Sequence, residues 1–333
     1  MKIIKWGIIG TGMISSNFAA ALNSLDNTDM VAVASRDLNK AKEFANRFRI
    51  KKAYGSYEEI VMDPEIDVIY IGTPHTEHKN NSELCITHGK AVLCEKPITI
   101  NQKDTQYLIS LAKEYNVFLM VAMWTKFLPT TKVVKKWIQK KLIGEIKYMN
   151  ISFGFKAEYD VNSRLYSPKF AGGALLDVGI YPITYAIHMM DRLPDQVTGR
   201  AYIGKSNVDE MNVIIFQYKE GAMADLSSAI SADTGRDAVI IGDKGKIVVP
   251  NFFMAESAEL YDSSGKLVDS FLSPFSENGY EYEAEEVNQC LREGKKESAV
   301  IPHRDMLDIM KLMDGLRAEW GLTYPQECEG LRV

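Results

Sequence analysis

The sequence has 333 residues, 46% of them hydrophobic and 25% charged, which is ordinary globular composition and more chain than one typical core takes, so two domains are expected. A formal net charge of −5, with no basic block to reverse it, excludes a nucleic-acid binder. The four cysteines, Cys85, Cys94, Cys290 and Cys328, form no CxxC pair, so the expectation is free buried thiols in a reducing compartment and no metal site.

No apolar run reaches the ~18 residues that cross a bilayer. The basic N-terminus precedes an apolar stretch, but glycines break it, and a buried strand plus a turn fits better than a signal peptide. The expectation is a cytoplasmic protein without membrane contact.

The first third alternates strand and helix signals at short spacing, the pattern of a parallel sheet with crossover helices. Lys5–Ile9 reads as a strand, and residues 16–25 as a helix with Phe18, Ala21, Leu22 and Leu25 on one face. Met30–Ala34 is the second strand, and Asp37 caps a helix whose stripe is Leu38, Ala41, Phe44, Ala45 and Phe48. Ser56–Glu59 is a capping box. Val68–Ile71, Ala91–Cys94 and Phe118–Ala122 complete the strands, with a helix ending at Gly89 between the first two of these.

After Trp124 the pattern changes. A helix over 130–142 is followed by strand-like segments at 146–155, 211–218, 223–230, 238–242 and 246–249, and then by helices near 281–292 and 305–320. The fold expected is α/β: a Rossmann dinucleotide-binding domain over 1–123, then an α+β domain over 124–333 with a large, mainly antiparallel open sheet. The C-terminal helix is expected to pack back on the first domain.

Gly10-Thr-Gly-Met-Ile-Ser15 follows a strand and opens a helix, the context of a dinucleotide fingerprint. Gly10 permits the tight turn, and Gly12 lets backbone approach a pyrophosphate held at a helix N-terminus. Ser15 replaces the third glycine and is small enough for close packing. Gly10, Thr11, Gly12, Met13 and Ile14 are the candidate cofactor contacts there. NAD sites carry an acid at the end of the second strand. Here Ser35 and Arg36 stand there, and a guanidinium suits a 2′-phosphate, so NADP(H) is preferred and NAD(H) remains open. The competing reading is a solvated Arg36 beside a capping Asp37.

Ligand crevices in open α/β sheets lie beyond the strands' C-terminal ends. Thr73 and Pro74 therefore belong beside the cofactor, and His75 and His78 either join them or are polar residues of a helix start. The fourth strand ends in Glu95-Lys96-Pro97, and Lys96 is either the partner of Glu95 or a catalytic cation. Further on, Asp177 and Tyr181 are four apart, so a helix puts both on one face. Gly179 and Pro182 burden that helix, which implies a close approach or a function.

GxG after the first strand, TP…H after the third, EKP after the fourth and GGALLDVGIYP (172–182) occur in one order in one family. The whole chain resembles the glucose–fructose oxidoreductase / inositol dehydrogenase (Gfo/Idh/MocA) family. SRDLNKAKEFA, WTKFLP and ESAVIP are most similar to its branch of dimeric dihydrodiol dehydrogenases, which also act as NADP-dependent D-xylose dehydrogenases. The resemblance implies that Lys96 is catalytic and that Tyr181, with Asp177, is the acid/base. Tyr181 stands where many members have histidine, which argues against inositol chemistry. A free tyrosine titrates near ~10, so a Lys96 cation is needed to favour its phenolate.

The resemblance also implies that Arg164 contacts cofactor or substrate, and that the second sheet forms a homodimer. Trp124 and Phe127 either line the substrate pocket or pack the domain junction. Glu95 either orients Lys96 or contacts the nicotinamide ribose. The implied activity is hydride transfer between nicotinamide and the CH–OH carbon of a sugar, polyol or trans-dihydrodiol. The alternatives are an aldose, anhydrosugar or dicarbonyl reductase and a non-catalytic dinucleotide-binding regulator, which would not need Lys96, Asp177 and Tyr181 together.

Overall fold

The computed structural model describes residues 2–328, apart from the Cys328 side chain. The thiol expected at Cys328 and the last five residues of the second domain lie outside the described residues. The chain divides into two compact units. The first runs to Trp124 and takes in Phe275–Met310; the second is Thr125–Pro274 with the chain from Lys311 onward.

In the first unit, β1 (Ile4–Ile9), β2 (Thr28–Ala34), β3 (Lys52–Tyr54), β4 (Val68–Ile71), β5 (Ala91–Glu95) and β6 (Leu119–Ala122) form one sheet in the order β3-β2-β1-β4-β5-β6. Every neighbouring pair is parallel. Helices α1 (Met13–Asn23), α2 (Leu38–Phe48), α3 (Tyr57–Val61), α4 (His78–Thr87) and α5 (Gln102–Glu114) make the connections. This is the Rossmann order, with its switch point between β1 and β4. The strands are apolar runs because crossover helices cover both faces of a parallel sheet. Asp37 caps α2, and Ser56 with Glu59 closes the capping box of α3, as the sequence indicated. The unpredicted β3 is a three-residue edge strand, too short for a periodic signal.

In the second unit, α6 (Pro129–Gln139) precedes β7 (Ile146–Gly154), and α7 (Ile180–Met190) precedes β8 (Gln196–Ile203), β9 (Asp209–Gln217), β10 (Met223–Ala229), β11 (Ala238–Gly242), β12 (Gly245–Val249), β13 (Ser257–Asp262) and β14 (Leu267–Leu272). The sheet order is β14-β13-β12-β11-β7-β10-β9-β8. Only β7 and β10 pair in parallel, so the sheet is mainly antiparallel. One face buries Met149, Ile151, Phe153, Ile214, Phe216, Leu226 and Ile240. The opposite face exposes Tyr148, Met211, Val213, Met223 and Ile241.

Contrary to the sequence expectation, one stretch, Pro168–Met190, is long and apolar enough by composition to cross a bilayer. Its apolar window is 89% buried inside the protein, as the core helix of this unit. Three helices follow the sheet: α8 (Glu281–Arg292), α9 (His303–Trp320) and the short α10 (Pro325–Cys328). On α8, Asn288 accepts a 3.0 Å hydrogen bond from the buried Trp6 indole, which ties the helix to β1 within the first unit. Cys85, Cys94 and Cys290 are buried free thiols.

Candidate active site

The turn after β1 is built for close backbone approach. Gly10 has φ +101°, and a Cβ there would stand 2.9 Å from the Gly72 carbonyl oxygen at the end of β4. Ser15, fully buried, fills the third-glycine position and brings its hydroxyl to 3.5 Å from that same carbonyl. Gly12 is the N-cap residue of α1, which has no side-chain cap and no acid in its first turn. A side chain at Gly12 would meet no protein atom within 4 Å. Open space over an uncapped helix N-terminus suits the pyrophosphate of a dinucleotide. Thr11 and Ile14 are half-buried at this turn and Met13 is exposed.

At the end of β2, Ser35 is buried and its hydroxyl accepts the Asp37 N–H. Arg36 is exposed and lies within electrostatic reach of the Tyr57 hydroxyl. Burial raises the Tyr57 phenol above its ordinary value, and Arg36 opposes that shift. The sequence reading missed Tyr57. It sits inside the capping box, between Ser56 and Glu59, where no residue pattern marks it as a ligand contact.

Beyond β4, Thr73 is half-buried and Pro74 exposed. The Thr73 hydroxyl accepts from Asn81. His75 is buried beside His78, with ring centroids 6.3 Å apart. His78 is buried too, and its ring nitrogens lie 2.7 Å from the Pro97 carbonyl and 2.8 Å from that of Thr73. Burial, with Lys96 adding, holds the ring below the usual imidazole range against the pull of both carbonyls. His78 thus lies between the loop after β4 and the loop after β5, and as a neutral ring it donates to one of these two carbonyls.

Glu95 is the last residue of β5 and is buried. Its carboxylate accepts the Tyr70 hydroxyl at 2.6 Å and the Lys96 backbone N–H at 3.2 Å. It is thus occupied by protein groups. Half-buried Lys96 follows, joined to Pro97 by a cis peptide bond. A second acid stands behind this corner. Glu283 of α8 is completely buried, and neither of its oxygens has a hydrogen-bond partner among the described residues. Burial, then the charge of Glu95, pushes its carboxyl well above the carboxylate range. Burial likewise raises Glu95, opposed by Tyr70 and Lys96. Two such acids do not both ionise in one apolar pocket. Glu283 is the one with no compensating donor, so it holds the proton.

In the second unit, residues 172–182 are not one regular α-helix. Leu175–Gly179 is a π turn, in which the Ile180 N–H reaches back to the Leu175 carbonyl, and α7 follows. The α-helical spacing expected for Asp177 and Tyr181 is corrected accordingly. π turns widen the backbone locally and recur at functional sites. Gly179 serves a close contact, since a Cβ there would come within 2.8 Å of the Ser228 hydroxyl on β10. Asp177 is buried and accepts a 2.7 Å hydrogen bond from the Arg164 guanidinium, whose side chain is 56% exposed. Burial works against the Arg164 charge, but Asp177, with a contribution from Tyr181, outweighs it. Tyr181 is 7% exposed and boxed by Phe153 and Phe253, with ring centroids 5.4 and 5.8 Å away.

The expected site residues therefore fall into two groups. Gly10 to Ile14, Ser35, Arg36, Thr73, Pro74, His75, Glu95 and Lys96 gather along one edge of the first sheet. Arg164, Asp177 and Tyr181 gather around the π turn of the second unit, with only Asp177 on it. Trp124 is buried and stacks face to face on Tyr280 at 4.3 Å, and Phe127 is 1% exposed, so packing accounts for both.

A family model described as "Oxidoreductase family, NAD-binding Rossmann fold" matches residues 4–123, and the GFO/IDH/MocA C-terminal domain model matches 131–248. The chain belongs to the Gfo/Idh/MocA oxidoreductase family. It is 39% identical over 329 residues to a trans-1,2-dihydrobenzene-1,2-diol dehydrogenase of Xenopus laevis, covering 96% of this chain and 99% of the relative. Two solved structures share the fold of this Gfo/Idh/MocA protein. One is a 3-ketoreductase from Actinomadura kijaniata in complex with NADP and TDP-benzene, at TM-score 0.85 and 22% identity over 95% of this chain and 98% of that one. The other is a levoglucosan dehydrogenase in complex with NADH and levoglucosan, at TM-score 0.85 and 19% identity over 96% and 98%. Family membership and full-length relatives named dehydrogenases make the chain an NAD(P)-dependent oxidoreductase.

Glu283 carries a stability consequence. Its folded pKa lies above the unfolded value, so its contribution is fully present below the ordinary carboxylate range and is lost as pH rises through and beyond it. Glu283→Gln should flatten that loss. Denaturant midpoints should show the variant gaining on the order of 2 kcal/mol over the parent between about pH 5 and pH 8. An unchanged pH dependence would show Glu283 to be ordinary.

Proposed function

We propose that this protein is an NADP-preferring dehydrogenase acting on the CH–OH carbon of a sugar, polyol or trans-dihydrodiol, with Tyr181 as acid/base and Lys96 as a second catalytic residue. The observation that carries the reading is the Arg164–Asp177 pair on a π turn beside Tyr181, in a chain whose fifth strand ends in Glu95–Lys96. The first unit's residues fit a dinucleotide: Gly10, the uncapped start of α1 at Gly12, Ser35 and Arg36 would hold it. The nicotinamide supplies hydride chemistry when bound.

Tyr181 takes the substrate hydroxyl proton during oxidation and returns it during reduction. Arg164 lies within electrostatic reach of Tyr181, and a cation there favours phenolate over phenol. Asp177 holds Arg164 in place. Glu95 anchors the backbone from which Lys96 projects. Phe153 and Phe253 stack on each other at 4.2 Å and both pack against Tyr181, which fixes the phenol ring. The relatives' naming supports a ring-shaped diol over an open-chain polyol.

Lys96→Met and Tyr181→Phe should each lower kcat by about 10²- to 10⁴-fold while dinucleotide binding, followed by protein fluorescence, persists. Turnover retained in both would refute the assignment.

Arg36 supports NADP, because a planar guanidinium beside a phenol at the end of β2 suits a 2′-phosphate. The Arg36→Glu variant should raise KM for NADPH by about 10- to 100-fold and leave KM for NADH nearly unchanged. A parent enzyme using NADH as well as NADPH would overturn the preference.

We further propose a homodimer through the open face of the second sheet. The support is the exposed apolar side chains of that face: Met223 on β10, Tyr148 on β7 and Ile241 on β11 stand side by side in register, and Met211 and Val213 lie farther along, on β9. Exposed apolar side chains concentrated on one sheet face mark an interface. Sedimentation should show a dimer for the parent and a monomer for the Val213→Asp/Met223→Asp double variant. A monomeric parent would remove the proposal.

A further inference from the structure

The π turn rests on a buried polar network that the reaction scheme does not use. Asp209, the first residue of β9, is fully buried. Its Oδ2 accepts the Leu175 N–H at 2.7 Å, the first amide of the π turn, and the Asn212 side-chain N–H at 2.9 Å. Asn212 in turn accepts the Ser228 hydroxyl at 2.9 Å. Ser228 is the group against which Gly179, the last residue of the π turn, is pressed. Gly173, just before the turn, has φ +116° and sits so close to Asp209 that a Cβ would lie 2.1 Å from its Oδ1. Both ends of the five-residue turn are thus seated on one chain of three side chains, Asp209–Asn212–Ser228, with Asp177 between them and Tyr181 two residues past its end.

From this geometry we infer that Asp209 is a positioning residue for the Asp177–Tyr181 pair, fixing the π register that sets where those two side chains stand. This rests on the acid/base reading of Tyr181. A carboxylate is chosen over a neutral cap because a charge-assisted bond to a helix-start amide is about twice as strong as a neutral one. The network has no room for a shift of register. Gly173 and Gly179 are packed to contact at either end, and the Asn212 amide is committed in both directions.

The device is sensitive to protonation. Burial pushes the Asp209 carboxyl up to about 7, against the bonds from Leu175 and Asn212 and the charge of Arg317 on α9. The groups facing it electrostatically are Arg317 and the Tyr324 phenol, in the segment after α9. Protonation weakens the bond to Leu175, so the turn is held best when Asp209 is ionised, and activity rises as pH passes upward through that value.

Asp209→Asn keeps the shape and an acceptor for Leu175 but abolishes the charge and its titration. The expected result is a fall of about tenfold in kcat, little change in dinucleotide KM, and loss of the kcat limb near neutral pH. Amide hydrogen exchange over 174–181, measured on the same full-length variant, should quicken. If Asp209→Asn does not fold, Ser228→Ala removes the far member of the network, the one against which Gly179 is pressed, and should quicken the same amides. Unchanged exchange and an unchanged pH limb overturn the inference even if Tyr181→Phe is inactive. Faster exchange together with an active Tyr181→Phe keeps the positioning role and discards the acid/base reading.

Discussion

The parallel register of the first sheet is the constraint from which the chemistry follows. Parallel strands deliver their C-terminal residues to one edge, so Gly10, Ser35, Gly72 and Glu95–Lys96 converge there without any of them being near another in sequence. The contact between Gly10 and Gly72 at the switch point is the tightest expression of this. The two backbones come together because neither carries a side chain, and Ser15 fills the gap that a larger residue would force open. The turn that follows leaves the N-terminus of α1 uncapped, which in isolation costs about 1 kcal/mol of helix stability. A bound anion supplies the missing partner.

Behind that edge the first unit buries charge, and it does so with unequal support. Glu95 has a phenol and an amide to satisfy it, whereas Glu283 has neither among the described residues. An isolated carboxylate in such a place costs several kcal/mol, so the group keeps its proton instead. A neutral Glu283 lets Glu95 remain the anion of the pair, and an anionic Glu95 is what can accept from both Tyr70 and the Lys96 backbone. Which acid is protonated therefore decides how firmly the Lys96 loop is anchored. The buried ring of His78, between the Thr73 and Pro97 carbonyls, packs on the same loop from the other side.

The sheet of the first unit was legible because strands covered on both faces read as unbroken runs such as Val68–Ile71 and Ala91–Cys94. The strands missed in the second unit, β8, β13 and β14, lie toward the sheet's edges. β8 and β14 bury little, so their sequences, QVTGRAYI and LVDSFL, show no clean alternation. The motif residues were legible by type and order, but their partners were not. Tyr70 looks like core, and Glu283 and Asp209 look like surface acids. A flag was nevertheless present. Glu283 falls in phase with Ala284, Val287 and Cys290 on the buried stripe of α8, and Asn212 falls in phase with Ile214 and Phe216 on the buried face of β9. Polar groups on a core-facing register need partners; at Asn212 the partner is Asp209, and at Glu283, where none is found among the described residues, the carboxyl keeps its proton.

The spacing of Asp177 and Tyr181 shows why a residue count does not fix geometry. Four residues in an α-helix advance one turn and about 40° more, whereas in a wider π turn they fall short of a full turn. The two side chains share a helix side in both cases, but their relative tilt differs, and so does the distance from Asp177 to whatever Tyr181 holds. The π turn persists because the i→i+5 bond from Ile180 to Leu175 is secured at its start by Asp209 and at its end by the fit of Gly179 on Ser228. Pro182 contributes as well. Lacking an N–H, it asks for no acceptor in the first turn of α7, just where the backbone bonds change from one period to the other. Glycine and proline in this helix are therefore not burdens tolerated by a stable element. They are the residues that let the backbone adopt the wider turn on which Asp177 is carried.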